Sequence, residues 1–174
     1  MALQEEQITE SDFNVELITM RSKKSFAEVT AEVERLFQPY DLDKLSNLAA
    51  AGDPQKFTAY AKQVDGSAGF GMFFQLDMGA LMRPGGIPLE SKLYLIGSVI
   101  TGQGLFRYSG VAGLGAPVRF CVSQRNGEDT RIDINRPTSF HSQFPELSTS
   151  SVPAEKDARM LPLLATIAGI HWPA

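Results

Sequence analysis

The sequence predicts an α+β fold, a two-layer sandwich in which a mainly antiparallel sheet of about five strands carries helices on one face. Two observations predict it. Short runs with strand periodicity follow one another at short spacings, and two segments have the apolar periodicity of amphipathic helices. At 174 residues and 43% hydrophobic, the chain can form one domain with a sizeable core.

The N-terminal part predicts an arm, a strand and a helix. Residues 1–12 are polar and acidic and are expected to form a flexible arm, so that the domain spans residues 13–174. Apolar and polar residues then alternate from Phe13 to about Arg21, the period of a strand. Ser25 followed by Glu28 is the pattern of a capping box, and it begins a helix with one apolar face.

The middle of the chain predicts two helices and two strands. Helices are expected over residues 43–51 and from Asp53-Pro54 to about Val64. Residues 70–78 alternate, which predicts a strand with Phe70, Met72, Phe74, Leu76 and Met78 on its core face. Lys92 to Ile96 is apolar on both faces, as expected for an interior strand. Thr101 is the predicted cap of the short helix that follows.

A hairpin and a final helix complete the fold. Side chains alternate between the two faces of a strand. If the apolar residues of both hairpin strands are to share one face, the residue numbers of each cross-strand pair must add up to an even number. A three-residue loop with Gly127 at positive φ satisfies this condition and places Arg119 opposite Asp133. Pro153 suits the first turn of the last helix, and its inward stripe is predicted to comprise Met160, Leu164, Ile167 and Ala168.

Four segments resemble the domain of unknown function 302 family: Lys92 to Gly97, Leu105 to Gly113, Ala116 to Phe120 and Asn135 to Pro137. The similarity extends to residues 77–81 and, more weakly, to the first strand and helix. The resemblance implies a compact two-layer α+β domain, often a homodimer, with no settled biochemical activity. Relative to the family, the helices at about residues 42–65 would be an insertion.

Composition excludes several classes of function. A net charge of −4 argues against nucleic-acid binding and against anionic membranes, because both require clustered Lys and Arg. The longest apolar stretch, residues 160–170, is too short to span a bilayer. A single cysteine, Cys121, cannot form an intramolecular disulfide, which favours a reducing, cytoplasmic location. The two histidines lack metal-ligand spacing, so no metal is expected. Gly102-Gln103-Gly104 resembles the opening of a phosphate-binding pattern, but Arg107 stands in place of its third glycine, so no cofactor is expected.

The candidate ligand-binding residues are charged or aromatic. Arg107 and Tyr108 end the short helix, where an arginine can bind a carboxylate or phosphate or simply the last helix carbonyls. Arg119 and Asp133 are expected to share the open face of the sheet, as a binding pair or as a cross-strand ion pair. Asp77 ends the second strand and completes the set.

Two hypotheses of function follow. The first is a non-catalytic module that binds a small ligand, for example an anionic one, or forms a homodimer through the uncovered sheet face. The second is an enzyme acting on a small anionic substrate, with Asp77 or Asp133 as base and Arg107 or Arg119 as anion clamp. The absence of a recognised catalytic motif favours the module.

Overall fold

The computed structural model describes residues 10–173, and most of the predicted N-terminal arm lies outside them. A five-stranded sheet has the order β1-β5-β4-β3-β2, and every neighbouring pair is antiparallel. The strands are β1 (Leu17–Ser22), β2 (Gly71–Asp77), β3 (Leu89–Gly97), β4 (Val118–Arg125) and β5 (Thr130–Asn135). The predicted α+β sandwich is confirmed, and β3 lies inside the sheet as its composition predicted.

Seven α-helices connect or cover these strands in the described part of the chain: α1 (Phe26–Leu36), α2 (Leu42–Ala50), α3 (Pro54–Asp65), α4 (Met78–Met82), α5 (Val99–Phe106), α6 (Pro137–His141) and α7 (Val152–Ala168). Helices α2 and α3 occupy the range predicted to be a helical insertion. No helix among residues 10–173 combines the length and hydropathy that a membrane span requires.

Helices α1 and α7 cover one face of the sheet. The Ser25 hydroxyl accepts the Glu28 amide while the Glu28 carboxylate accepts the Ser25 amide, so the predicted capping box begins α1. The apolar stripes of both helices then pack on the inward side chains of the strands. This core comprises Val29, Val33 and Phe37 from α1, Met160, Leu161, Leu164 and Ile167 from α7, and Met20, Tyr94, Ile96, Phe120, Val122, Ile132 and Ile134 from the sheet.

A bulge in β2 changes the predicted core face of that strand. Phe70 and Met72 are buried as expected, but the pairing with β3 slips between Met72 and Phe74. One extra residue reverses the faces that follow it. Phe74 therefore faces away from the core and is 46% exposed, while Phe73 packs against the Tyr40 ring at 4.8 Å between centroids.

The hairpin register differs from the predicted one by two residues. Phe120 pairs with Ile134 and Cys121 with Asp133, so the predicted pairing of Arg119 with Asp133 is wrong. A shift of two residues keeps every side chain on its face. The even-sum condition on paired residue numbers therefore cannot distinguish the two registers. Gly127 has φ +80°, which confirms its predicted conformation, and the Glu128 amide donates to the Arg125 carbonyl at 3.0 Å.

Candidate ligand-binding site

A strongly apolar cavity in the described residues lies where α3, α5 and α7 meet the end of β3. Its volume is about 390 Å³. Aromatic and aliphatic side chains form most of its wall: Phe57 from α3, Phe73 from β2, Val99 and Phe106 from α5, and Ala116 and Pro117 before β4. A cavity of this size and polarity is typical of small-molecule sites.

Helix α5 forms one wall and begins earlier than the sequence analysis predicted. Ser98, rather than Thr101, is the N-cap, because its hydroxyl accepts the Thr101 amide at 3.3 Å. Gly102 then lines the cavity from the middle of the helix. A Cβ added at Gly102 would meet no heavy atom within 4 Å, so the missing side chain leaves part of the space open.

A buried carboxylate fixes the start of α5 against the end of α3. Asp65 accepts a hydrogen bond from the Tyr40 hydroxyl and another from the Ser98 hydroxyl, the latter at 2.6 Å. Burial and the hydrogen bond to Asp65 both raise the pKa of Tyr40, which keeps its hydroxyl protonated. The two helices that carry Phe57 and Gly102 are thereby held together around the cavity.

Lys156 is the charged residue of this cavity wall. It lies on α7, its residue exposure is 3%, and its Nζ has no hydrogen-bond partner in the described structure. Burial lowers the pKa of Lys156 to about 8, because an ammonium ion loses hydration in an apolar environment.

A smaller cavity of about 130 Å³ lies on the other side of Pro117, which lines both. Arg119, Asn135 and His141 contribute its polar atoms, with Leu95 and Phe140 among its apolar ones. The His141 Nδ1 donates to the Pro137 carbonyl at 2.8 Å, which leaves the buried Nε2 without a partner. Burial lowers the pKa of His141, and the nearby Lys156 charge lowers it further.

Of the five candidate residues predicted from the sequence, only Arg119 lines one of the two cavities. Arg107 is exposed at the C-cap of α5, and within residues 10–173 its side chain makes no hydrogen bond, so it does not bind the helix carbonyls. Tyr108 follows it and is 44% exposed.

The two candidate aspartates have other partners. Asp77 is the N-cap of α4, where its carboxylate accepts the Ala80 amide at 2.7 Å. Asp133 accepts from the Arg131 guanidinium at 2.8 Å and from the Thr19 hydroxyl. Neither lines a cavity together with Arg107 or Arg119, so the arrangement that an acid–base mechanism would need is not assembled here.

Comparison with known proteins identifies the fold. No family model matches the chain, and no curated protein is significantly similar to it in sequence. A crystal structure of the uncharacterized conserved protein DUF302 from Bacillus stearothermophilus aligns with a TM-score of 0.60 over 85% of this chain and 94% of that chain, at 14% identity. The chain has the fold of this DUF302 protein. The predicted family resemblance is thus confirmed at the level of the fold.

Within this DUF302 fold, sequence reasoning missed Lys156 and Gly102. A signal for Lys156 was present, since it precedes Met160 by one helical turn and so lies on the inward stripe of α7. No sequence signal marks Gly102 as a cavity residue, because an open space beside a glycine depends on which elements pack around it. Among residues 10–173, no cluster of three His, Cys, Asp or Glu side chains could hold a metal ion.

Proposed function

We propose that this protein is a non-catalytic module that binds a small, largely apolar molecule in the cavity between α3, α5 and α7. One observation carries the proposal: a cavity of about 390 Å³ has predominantly apolar walls and a space beside Gly102 that no side chain fills. Water in an apolar pocket makes few hydrogen bonds to its walls, so an apolar molecule can displace it favourably. The catalytic alternative has less support, because its aspartates are engaged elsewhere.

Filling the cavity from within tests the proposal. We expect Gly102→Leu to place its side chain in the open space and to abolish binding of the neutral fluorescent probe N-phenyl-1-naphthylamine. The substitution should not unfold the protein, since replacing a helical glycine stabilises the helix by about 0.5–1 kcal/mol. Fluorescence titration measures binding, and circular dichroism verifies the fold.

Gly110→Leu is the matched control. Gly110 is also free of atoms within 4 Å of an added Cβ, but it is exposed and lines neither cavity. This variant should bind the probe as the wild type does. Equal binding by the wild type and Gly102→Leu, or no saturable binding by the wild type, would contradict the proposal.

We also propose that two copies associate through the sheet face that no helix covers. This open face consists of the outward side chains of the strands, including Leu17, Thr19, Phe74, Leu93, Leu95, Arg119, Arg131 and Asp133. The apolar residues of β2 and β3 are neighbours, whereas Leu17 lies at the opposite edge on β1, beyond the charged residues of β4 and β5. A two-fold axis can superpose such a patch on its own copy with opposite charges paired.

A further inference from the structure

Lys156 is buried in a place that gives its charge no compensation. Its Nζ has no partner, and an unpaired ammonium ion in an apolar environment is strongly unfavourable. Long side chains on a helix usually extend their charged ends to water, yet this residue is only 3% exposed. A stabilising role in the unliganded protein therefore does not account for it.

The carboxylates that neighbour Lys156 in the chain, and the one beside the cavity, accept hydrogen bonds from residues other than Lys156. Glu155 accepts from the Ser151 hydroxyl, Asp157 from the Thr138 amide and hydroxyl, and Asp65 from Tyr40 and Ser98. None of the residues that line the cavity is Asp or Glu. The described residues therefore provide no hydrogen-bonded counter-charge for Lys156.

Given the ligand-binding function proposed above, we infer that the cavity takes a molecule with an apolar body and a carboxylate, and that the Lys156 ammonium binds this carboxylate. The apolar walls contact the body of the ligand, while the ammonium donates hydrogen bonds to its one anionic group. A charge-assisted hydrogen bond in a water-poor site is stronger than a neutral one. The ligand class is thus an aliphatic or aromatic acid rather than an alcohol or an amine.

Three probes with one chain length separate the contribution of charge from that of the apolar body. Decanoate, 1-decanol and decylammonium are titrated into the full-length protein at pH 7 by isothermal calorimetry. We expect the wild type to bind decanoate about tenfold to a hundredfold more tightly than 1-decanol, as one hydrogen bond to a charged group allows. Decylammonium should bind least.

Substitution then assigns the preference to Lys156. Lys156→Met should lose the tenfold to hundredfold advantage of decanoate and bind 1-decanol within about twofold of the wild type. Lys156→Arg, which keeps the positive charge, should retain a preference for decanoate. Lys23→Met removes a positive charge from an exposed lysine that does not line the cavity and should change neither affinity.

The outcomes separate this inference from the proposed function. If none of the three probes binds, the ligand-binding function itself is wrong. If 1-decanol binds as tightly as decanoate to the wild type, or if Lys156→Met keeps the decanoate preference, the cavity binds apolar molecules and the role of Lys156 is wrong. The wild-type comparison requires no substitution, so it stands even if a variant fails to fold.

Discussion

Lys156 and Met160 lie one turn apart on the same buried face of α7, yet they differ in their effect on stability. Met160 contributes apolar burial to the core, whereas Lys156 places an unpaired amine beside a cavity. A protein is expected to become more stable when an apolar residue of similar length replaces a buried, unpaired charge. Retention of the less stable residue is what a binding role would require.

The cost of the buried Lys156 charge depends on pH. The pKa of Lys156 is about 8 in the folded protein, against about 10.4 for an unperturbed lysine in an unfolded chain. Below pH 8 both states hold the proton and the full penalty applies. Between the two values the unfolded chain binds more protons, so the stability of the wild type rises with pH.

We therefore expect Lys156→Met to exceed the wild type in free energy of unfolding at pH 7 by up to about 3 kcal/mol, from ~1.4 kcal/mol per pKa unit. That difference should shrink as the pH is raised from 8 to 10. Urea unfolding of both proteins, without ligand, measures it at each pH. A difference that stays constant over this interval, or a variant less stable than the wild type at pH 7, would show that the buried amine carries no such penalty.

At the scale of elements, the hairpin of β4 and β5 shows how far sequence periodicity can predict structure. Alternation identified the buried faces and the glycine turn, because both depend on residues close in the chain. It could not choose between registers that differ by two residues. The pairing also has to satisfy β1 and β3 on either side, with Ser22 opposite Thr130 and Leu89 opposite Arg125.

The reach of local sequence patterns also explains which parts of the candidate site could be predicted. Helix α1 and the inward stripe of α7 were predicted because capping and amphipathicity are local patterns. The bulge at Phe73 and the space beside Gly102 arise from packing between distant segments, and no local pattern encodes them. Arg119 was identified by its residue type, but the cavity it lines was not.

Gly127 determines the backbone conformation of the hairpin turn. Its φ of +80° strains any β-branched side chain, so Gly127→Val should lower the free energy of unfolding by about 1–3 kcal/mol. Gly127→Asn should be less costly, since asparagine adopts left-handed conformations more readily. Added bulk is not the cause, because a Cβ there would meet nothing within 4 Å. Chemical denaturation measures both variants, and equal stability of the valine and asparagine variants would contradict the backbone argument.

At the scale of the whole molecule, the two faces of the sheet differ in what covers them. One face packs on α1 and α7 and contributes the core, while the open face leaves Leu17 63% and Phe74 46% exposed. These two side chains lie on the opposite edge strands β1 and β2, so it is Phe74, paired with Leu95, that marks the apolar part of the open face. The apolar cavity lies at the end of β3, and none of its lining residues is among those of the open face.

Association through the open face can be tested by placing a charge on it. Light scattering over a range of protein concentrations should give twice the 19.0 kDa monomer mass for the wild type. Phe74→Lys, on the apolar part of the open face at the edge strand β2, should shift the equilibrium to monomer, because a symmetric interface would bury the new charge twice. Leu42→Lys is the matched control, since Leu42 is 49% exposed on α2, away from the sheet, and should leave the dimer intact. A monomeric wild type would contradict self-association, and equal association of both variants would place the self-contact elsewhere. Probe binding by the monomeric Phe74→Lys protein would show that the ligand cavity functions in a single copy.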